Sequence, residues 1–246
     1  MKYEELPKAL GYWKYDGLSI QADVEAHQSA VEMAVRVLDR GSTILDLAAG
    51  QGALAKALVD AGFEVSCTSW NDRVGVDVPC YRIDLDYGFS CDDVGAKKFD
   101  MICAIEVIEH VENPAQLLRS CAGLVKRDGY MIISTPNVES ASARLEWLLR
   151  GCPYSFDTHE IVHNRHISVM WRQGLEEFIA LAGFDIVDKR LVGKQRYHNK
   201  AQALLKRPIH ALMAMLLDGD LCGNSRMYLL RRTGSNPKSL GAEDVA

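Results

Sequence analysis

The chain has 246 residues, of which 48% are hydrophobic, and its formal net charge is −5. This length and apolar content are sufficient for one well-packed domain with additions, and they exclude a chain that is too polar to fold. The acidic balance argues against a protein that binds nucleic acid over its whole surface, although it permits a local basic patch.

The N-terminal part, residues 1–40, is expected to form a cap region. Residues 1–22 carry several aromatic side chains without a regular period, so we expect irregular structure there. Residues 23–39 place apolar side chains at the spacing of one helical face, which predicts an amphipathic helix.

Strand and helix patterns alternate after this region. Short apolar runs predict strands, and longer runs with helical spacing, several ending at a glycine, predict helices. The expected strands are 44–47, 64–69, 81–83, 99–105, 130–134, 184–190 and 227–232, and the expected helices are 53–61, 114–125, 141–150 and 170–182. The alternation predicts an α/β fold, a Rossmann-like doubly wound sheet of about seven strands, mostly parallel with an antiparallel last strand, and helices on both faces.

Three connections are expected to be irregular. Residues 71–80 are too few for a full crossover helix, so we expect a shortened helix or a loop there. Arg-Asp-Gly at 127–129 predicts a turn between a helix and a strand. The long segment 152–168 is rich in histidine and aromatic residues, which is typical of a loop that forms the wall or lid of a site.

The cysteines and the apolar segments bear on the compartment. The seven cysteines are scattered without a Cys-x-x-Cys pair, which indicates buried free thiols in a reducing compartment. Residues 1–5 lack an apolar signal region, and the longest uncharged apolar stretch, 209–217, is too short to span a membrane. We therefore expect a cytoplasmic protein.

The most informative motif lies at residues 44–52, Ile-Leu-Asp-Leu-Ala-Ala-Gly-Gln-Gly. It predicts a buried strand that ends at Asp46 and turns tightly into a helix through Ala48, Gly50 and Gly52. Small residues in such a turn let a ligand lie against bare backbone. Alone the turn is a weak signal, because dinucleotide and phosphate loops share it.

Later motifs make the ligand more specific. Residues 105–111 read Ile-Glu-Val-Ile-Glu-His-Val, Asn113 and Pro114 follow, and residues 132–137 read Ile-Ile-Ser-Thr-Pro-Asn. Together with the turn, this succession resembles the class I S-adenosylmethionine-dependent methyltransferases. The resemblance is strongest to the subgroup of ubiquinone-biosynthesis and polysaccharide-cluster O-methyltransferases, and it extends over residues 25–190.

The resemblance implies S-adenosylmethionine as the cofactor, and it implies roles for individual residues. The methionine part would contact Asp46 and the turn with Ala48, Gly50 and Gly52. The adenine would face Asp84 and the backbone of Leu85, and the residues that close over the cofactor would be Ile105 and Glu106.

Two positions depart from the family pattern. Ala48 stands where the family has a glycine, and its methyl group is accommodated only if φ stays negative. Ser69 stands where the family has an acid for the ribose, and its hydroxyl can hydrogen-bond the sugar without charge assistance. Asn71 and Asp72 are alternative partners for the ribose. Trp70 could stack on adenine or be an ordinary core aromatic.

Candidate catalytic groups follow the central strand. Methyl transfer to oxygen requires loss of a proton from the acceptor, and histidine is suited to accept it near neutral pH. His110 comes directly after the strand that borders the cofactor, and His166 lies in the segment 152–168. Together with Glu109 these are the predicted catalytic residues, with a structural role as the alternative for each histidine.

The same residues permit a metal hypothesis. Glu106, Glu109 and His110 have i, i+3, i+4 spacing, so one helical turn would present them together, and His166 would complete a two-carboxylate, two-histidine site. This set resembles magnesium-dependent methyltransferases that 2′-O-methylate the 3′ ends of small RNAs. Glycan and quinone methyltransferases carry the same string without a catalytic metal, so we expect no metal and keep Mg²⁺ as the alternative.

We expect a single methyltransferase domain, 1–232, followed by a disordered tail, 233–246. Within this domain, the acceptor side is expected in two segments, 141–170 and 191–225. The resemblance implies that the helix and aromatic loop at 142–156 face the acceptor, although a dimer-packing helix would have the same pattern. Seven lysines and arginines without an acid interleave with helically spaced apolar residues over 189–217, which fits an anionic or membrane-associated substrate or a solvated covering helix.

These observations favour O-methylation of a small molecule or a sugar that is part of a glycan or linked to a nucleotide or lipid. The alternatives are a metal-dependent RNA 3′-terminal ribose methyltransferase and a non-catalytic cofactor-binding or scaffold protein. We do not expect a nucleic acid partner, and the chain is expected to be a monomer or a homodimer.

Overall fold

The computed structural model of this chain describes residues 3–5, 13–70, 74–193, 208–213 and 215–233. Their main element is a sheet of seven strands. In chain order these strands are β4 (Thr43–Asp46), β5 (Glu64–Thr68), β6 (Cys80–Tyr81), β7 (Phe99–Ala104), β8 (Val125–Pro136), β9 (Phe184–Val192) and β10 (Ser225–Arg232). The strands β4 and β7 and the second half of β8, residues 131–136, are mainly apolar and almost wholly buried, as expected of a sheet covered on both faces.

The strand order is β6-β5-β4-β7-β8-β10-β9. The strands from β6 to β8 pair in parallel, whereas β10 pairs antiparallel with both of its neighbours. This confirms the predicted Rossmann-like sheet with an antiparallel last strand. The order reverses between β4 and β7, and ligands of open α/β sheets bind outside the carboxyl ends of strands at such a point.

The helices lie on both faces of the sheet, as predicted. Their bounds are α1 (Val24–Val37), α2 (Ala53–Asp60), α3 (Pro114–Leu124), α4 (Ala141–Arg150) and α5 (Arg172–Leu181). The apolar sides of α1 and α2 belong to one hydrophobic cluster with the sheet, and those of α3 and α5 belong to the other. Asn113 begins α3 as predicted, since its side chain accepts a hydrogen bond from the Gln116 N–H and proline occupies the first turn.

The expectation of irregular structure over residues 1–22 is wrong. Within this segment β1 (Tyr3–Glu5), β2 (Trp13–Tyr15) and β3 (Leu18–Ile20) form a three-stranded antiparallel sheet. The turn between β2 and β3 is Asp16-Gly17, with φ of 50° and 82°. Asp-Gly between alternating residues is a hairpin signal, and each strand was too short to show a clear period.

Two of the three connections differ from their predicted form. Residues 127–129 lie inside the long strand β8, where the pairing with β7 shifts register and Asp128 has a φ of 61°, so the turn signal marks an irregularity within the strand. Residues 152–168 contain a short 3-10 helix, Tyr154–Phe156, and a π-helix, Glu160–Asn164. The described part of the connection before β6, residues 74–79, has no helix, which agrees with the predicted loop.

Several expectations concern residues outside the described part. The residues that the structure does not describe include Asn71 and Asp72, the alternative ribose partners. They also include most of the basic segment 189–217 and the tail after Thr233. Among the described residues, none of the helices combines the length and the apolar composition needed to cross a membrane.

The cysteines are not all buried. All seven are free, and Cys67, Cys103 and Cys121 are buried as expected. The expectation is wrong for Cys80 and Cys222, which are exposed, because both lie at the margins of the fold, on an edge strand and in a loop.

Candidate cofactor and catalytic site

A cavity of about 970 Å³ lies at the carboxyl ends of β4, β5 and β7. Among the predicted cofactor residues, those that line it are Asp46, Ala48, Gly50, Ser69, Trp70, Asp84, Leu85, Ile105 and Glu106. The three predicted catalytic residues, Glu109, His110 and His166, also line it. One predicted residue does not: Gly52 begins α2 with a φ of 87°, and a Cβ there would meet the side chains of Val74 and Val76.

The tight turn after β4 has left-handed backbone at more than its glycines. Gly50 has a φ of 56°, which costs glycine little, but Ala48 also has a φ of 56°. The condition that φ stays negative at Ala48 is therefore not met. The Ala48 N–H donates to the Thr68 hydroxyl over 2.9 Å, and this bond to β5 holds the strained peptide in place. A left-handed conformation costs a residue with a Cβ about 1–2 kcal/mol.

Replacing Ala48 by glycine should therefore stabilise the protein by about 1 kcal/mol, because glycine adopts this φ without a steric penalty but loses more entropy on folding. Urea unfolding measures the change. Ala96 is a matched control, since it also has a φ of 56° but does not line the cavity. Both variants should gain stability, and only the Ala48→Gly variant should change cofactor affinity. A loss of stability in the Ala48→Gly variant would contradict the inference that the left-handed conformation of Ala48 is strained.

Asp46 ends β4 with its carboxylate inside the fold. It is 3% exposed, and its Oδ2 atom has no hydrogen-bond partner among the described residues. Burial raises the pKa of this carboxyl group to about 7. A buried oxygen without a partner is costly, so a donor group on a bound ligand would find an acceptor already in position.

The opposite wall of the cavity comes from β5 and the loop after β6. Ser69 is buried, whereas Trp70 is 62% exposed, so Trp70 is not a core aromatic. The guanidinium of Arg82 lies 5.4 Å from the Trp70 ring centroid, which supports one face of the indole. Asp84 accepts the Asp86 N–H over 3.1 Å in a local turn, and this turn orients the loop at the cavity edge.

Sequence reasoning missed the contribution of the N-terminal segment to the site. Trp13, Gln21 and His27 line the cavity beside the glycine-rich turn. Gln21 is so close that a Cβ added at Gly50 would overlap its Oε1 atom. The Asp16-Gly17 hairpin signal could have indicated an ordered cap, but nothing in the sequence pairs it with the turn.

Glu106 follows β7 in a strained conformation, with a φ of 54°. The Ser134 hydroxyl accepts the Glu106 N–H over 2.9 Å and donates to the Glu106 carboxylate over 2.8 Å, so one side chain of β8 fixes both ends of this residue. Burial raises the pKa of Glu106 to about 7. Strained residues persist where the surroundings hold them, and they cluster at functional sites.

Glu109, His110 and His166 form a compact cluster at the far end of the cavity. One ligand atom from each lies within 4.8 Å of the others. Glu109 is completely buried, and neither of its carboxylate oxygens has a hydrogen-bond partner among the described residues. Burial, with the nearby Glu106 carboxylate, raises the pKa of Glu109 well above its usual value. Glu106 itself is not part of the cluster, because its carboxylate is bound to Ser134, so the described residues do not assemble the four-residue set of the metal alternative.

The two histidines are oriented by backbone carbonyls. His110 Nδ1 lies 2.7 Å from the Asn164 oxygen, and His166 Nδ1 lies 2.6 Å from the Ser155 oxygen. Because a carbonyl only accepts, each Nδ1 carries a proton, and in the neutral form of His110 this leaves Nε2 as an acceptor. Burial and the neighbouring His166 lower the pKa of His110. The His110 imidazole is therefore mainly neutral at pH 7.

The segment that carries His166 is tied to the cluster by its backbone. The N–H groups of Ile167 and Ser168 both donate to the backbone carbonyl oxygen of Glu109 over 3.0 Å. At the cavity edge, Arg165 forms ion pairs with Asp86 and Glu112, which join this segment to the loop after β6. The wall predicted at 152–168 is thus positioned by contacts to both sides of the cavity.

Comparison with known proteins identifies the class and then the family. Residues 22–189 match the family model described as a methyltransferase domain. An S-adenosylmethionine-dependent methyltransferase from Archaeoglobus fulgidus has a similar fold, with a TM-score of 0.57 at 13% identity over 84% of this chain and 94% of that one. Magnesium protoporphyrin IX methyltransferase from Synechocystis, solved with bound S-adenosylhomocysteine, has a TM-score of 0.56 at 16% identity over 84% of each chain.

Curated relatives agree with this class. The ubiquinone biosynthesis O-methyltransferase of Caulobacter vibrioides is 31% identical over 49% of this chain and 53% of its own length. The ubiquinone biosynthesis O-methyltransferase of Neisseria meningitidis is 27% identical over 61% of this chain and 67% of its own length. The chain spans about half the length of the first curated relatives that it matches. The fold is that of S-adenosylmethionine-dependent methyltransferases of known structure, and the chain belongs to the methyltransferase-domain family.

Proposed function

We propose that the protein is an S-adenosylmethionine-dependent O-methyltransferase that acts on a small molecule. The observation that carries this proposal is a single cavity that contains both the small-residue turn after β4 and the Glu109–His110–His166 cluster. A methyl donor bound at the turn and an acceptor hydroxyl at the cluster would meet within that cavity.

The cofactor would extend across the carboxyl ends of the central strands. The unpartnered oxygen of Asp46 would accept a hydrogen bond from the methionine part, and the small residues of the turn would let it approach the backbone. Trp70, supported by Arg82, would stack on the adenine, and Asp84 would face its polar edge. Ser69 is the described side chain at the position where the family has an acid for the ribose, and its hydroxyl would bond the sugar.

The reaction would be a direct displacement at the methyl carbon. The acceptor oxygen forms a bond to this carbon while the carbon–sulfur bond breaks, which leaves S-adenosylhomocysteine. The acceptor proton passes to Nε2 of His110, which the hydrogen bond from Nδ1 to the Asn164 carbonyl keeps in the accepting tautomer. The remaining acceleration comes from holding donor and acceptor in line.

A small acceptor fits the lining of this end of the cavity. The π-helical wall contributes polar side chains, Glu160, His163 and Asn164, beside apolar Val107 and Val111. Such a lining can bind hydroxyl groups together with an apolar ring, as in a phenol or a sugar. The curated relatives named as ubiquinone biosynthesis O-methyltransferases support methylation at oxygen.

Calorimetric titration with S-adenosylmethionine and S-adenosylhomocysteine tests the cofactor site. We expect both to bind the wild-type protein, and we expect a Trp70→Ala variant to bind both more weakly, by about 1–3 kcal/mol if the indole stacks on the base. The exposed Tyr87, which does not line the cavity, provides a control in Tyr87→Ala. Absence of binding at millimolar cofactor would reject the enzyme, whereas binding without turnover on any acceptor would favour the non-catalytic alternative.

The cluster also supports a second candidate, a metal-assisted methyltransferase. Two imidazoles and a carboxylate suit a divalent transition metal or Mg²⁺, and a cation would partner the Glu109 oxygens. The bound ion would supply a positive charge that lowers the pKa of the acceptor hydroxyl. Activity that is lost with EDTA and restored by one added metal would favour this candidate, and a ribose acceptor at an RNA 3′ end would then be tested first. Activity indifferent to chelation would reject it.

A further inference from the structure

Four residues form a row across the carboxyl edge of the sheet. The register pairs Cys103 with Asp46, Asp46 with Cys67, and Cys67 with Cys80. Directly opposed residues of neighbouring strands place their side chains on the same face of a sheet. The buried carboxylate of Asp46 therefore has a thiol on either side, and a further thiol lies beyond Cys67 on the edge strand.

Cys67 and Cys80 are close enough to react with each other. Neighbouring strands lie about 4.8 Å apart, which is within the Cα separation of about 4.4–6.8 Å that a disulfide needs. The Cys80 thiol also contributes to the raised pKa of Cys67, which requires the two sulfur atoms to lie near each other. Cys67 is completely buried, whereas Cys80 is exposed on β6, an edge strand of two residues.

We propose that Cys67 and Cys80 are an oxidisable dithiol, which a hydroperoxide closes to an intramolecular disulfide that adjusts the cofactor cavity. Whether the disulfide forms does not depend on the proposed function. Its effect on the cavity rests on that function, because this effect is measured as a change in cofactor affinity.

The chemistry begins at the accessible sulfur. The Cys80 thiolate attacks one oxygen of hydrogen peroxide, the oxygen–oxygen bond breaks, and Cys80 becomes a sulfenic acid with release of hydroxide. The sulfur of Cys67 then attacks the sulfenic sulfur, and the sulfenic oxygen leaves as water with the Cys67 proton. In total, two thiols lose two electrons and two protons, and one peroxide becomes two waters.

The burial of Cys67 determines the order of these steps. Burial, and then the neighbouring Cys80, raises the pKa of Cys67, so its thiol stays protonated and shielded from free peroxide. Among the described residues, the remaining cysteines have no second cysteine opposite them in a strand register. Cys222, although exposed, lies in a loop away from this row.

The disulfide would act on the cavity through the two strands that it joins. Beyond Cys67, β5 leads to Ser69 and Trp70, and beyond Cys80, β6 leads to Asp84. A disulfide holds its two Cβ atoms about 3.5–4.5 Å apart, so the closed bond would fix the spacing of β6 and β5 at this edge of the sheet. We expect the oxidised protein to bind S-adenosylmethionine at least about threefold more weakly, because the two sides of the adenine subsite can then no longer adjust to the base.

Treatment of the reduced full-length protein with hydrogen peroxide tests this proposal. Intact mass should fall by two hydrogens, and non-reducing peptide mapping should link the peptides of Cys67 and Cys80. The link should be absent in Cys80→Ser and in Cys67→Ala, and it should be kept in Cys222→Ser, the control for an exposed thiol. Because Cys80 is exposed, Cys80→Ser should fold normally, which circular dichroism verifies.

Several outcomes would overturn the proposal. A sulfinic acid at Cys80 without a link to Cys67, or a disulfide between two chains, would show that the pair does not close. Calorimetry compares the cofactor affinity of oxidised wild type with that of peroxide-treated Cys80→Ser. Equal affinities would show that the disulfide does not affect the cavity. If the reduced protein does not bind the cofactor at all, the proposed function fails, while the mass measurement still decides whether the pair closes.

Discussion

Replacing His110 by asparagine is expected to lower kcat by a factor of about 10²–10⁴ and to leave the affinity for S-adenosylmethionine nearly unchanged. An asparagine amide can still donate to the Asn164 carbonyl, so the segment 152–168 keeps its anchor, but it cannot accept a proton at neutral pH. Single-turnover kinetics with an identified acceptor measures the first effect, and calorimetry measures the second.

The pH profile separates a base from a merely structural histidine. Because burial and His166 lower the pKa of His110, the base form should persist below the ordinary histidine range. The rate should rise with pH through this lowered pKa and then level off, and this limb should disappear in His110→Asn. The control is the same substitution at His159, whose side chain is 70% exposed and does not line the cavity. Full turnover in His110→Asn would show that another group takes the proton.

Replacing Arg226 by methionine is expected to destabilise the protein by about 3 kcal/mol, because it removes a buried guanidinium from its network and leaves the partly buried Glu139 carboxylate without its cation. Arg226 is completely buried on β10. Its guanidinium donates to Asp220 over 2.8 Å and to Asn137 over 3.1 Å, and it forms an ion pair with Glu139. These bonds join the loop after β8 to the segment before β10.

Arg231→Met is the matched control on the same strand. Arg231 is 52% exposed, and its partner Asp128 is 64% exposed, so losing this pair should cost no more than about 1 kcal/mol. Urea unfolding of both variants gives the comparison. Equal losses of stability would show that the buried network contributes no more than a surface pair.

The strand pattern and the motif at 44–52 were sufficient to predict the seven-stranded sheet. Buried parallel strands appear in a sequence as apolar runs, and small residues mark the turn after the first of them. The N-terminal sheet was missed because its strands have only three residues each, and so short a run shows no reliable period. A cap region was expected at residues 1–40, but its three-stranded sheet and its contribution to the cavity lining were not. Its contact between Gln21 and Gly50 joins segments whose sequences do not indicate each other.

For the site, the sequence by itself determined the class of ligand and the kinds of chemical group, since these depend on residue types in a fixed order along the chain. Only the tertiary structure decided which groups meet. It placed His166 beside His110, across 56 positions of chain, and bound Glu106 to Ser134 instead of to the cluster. It also decided the strain at Ala48 and the pairing of Cys67 with Cys80, because φ and strand register follow from packing between distant segments.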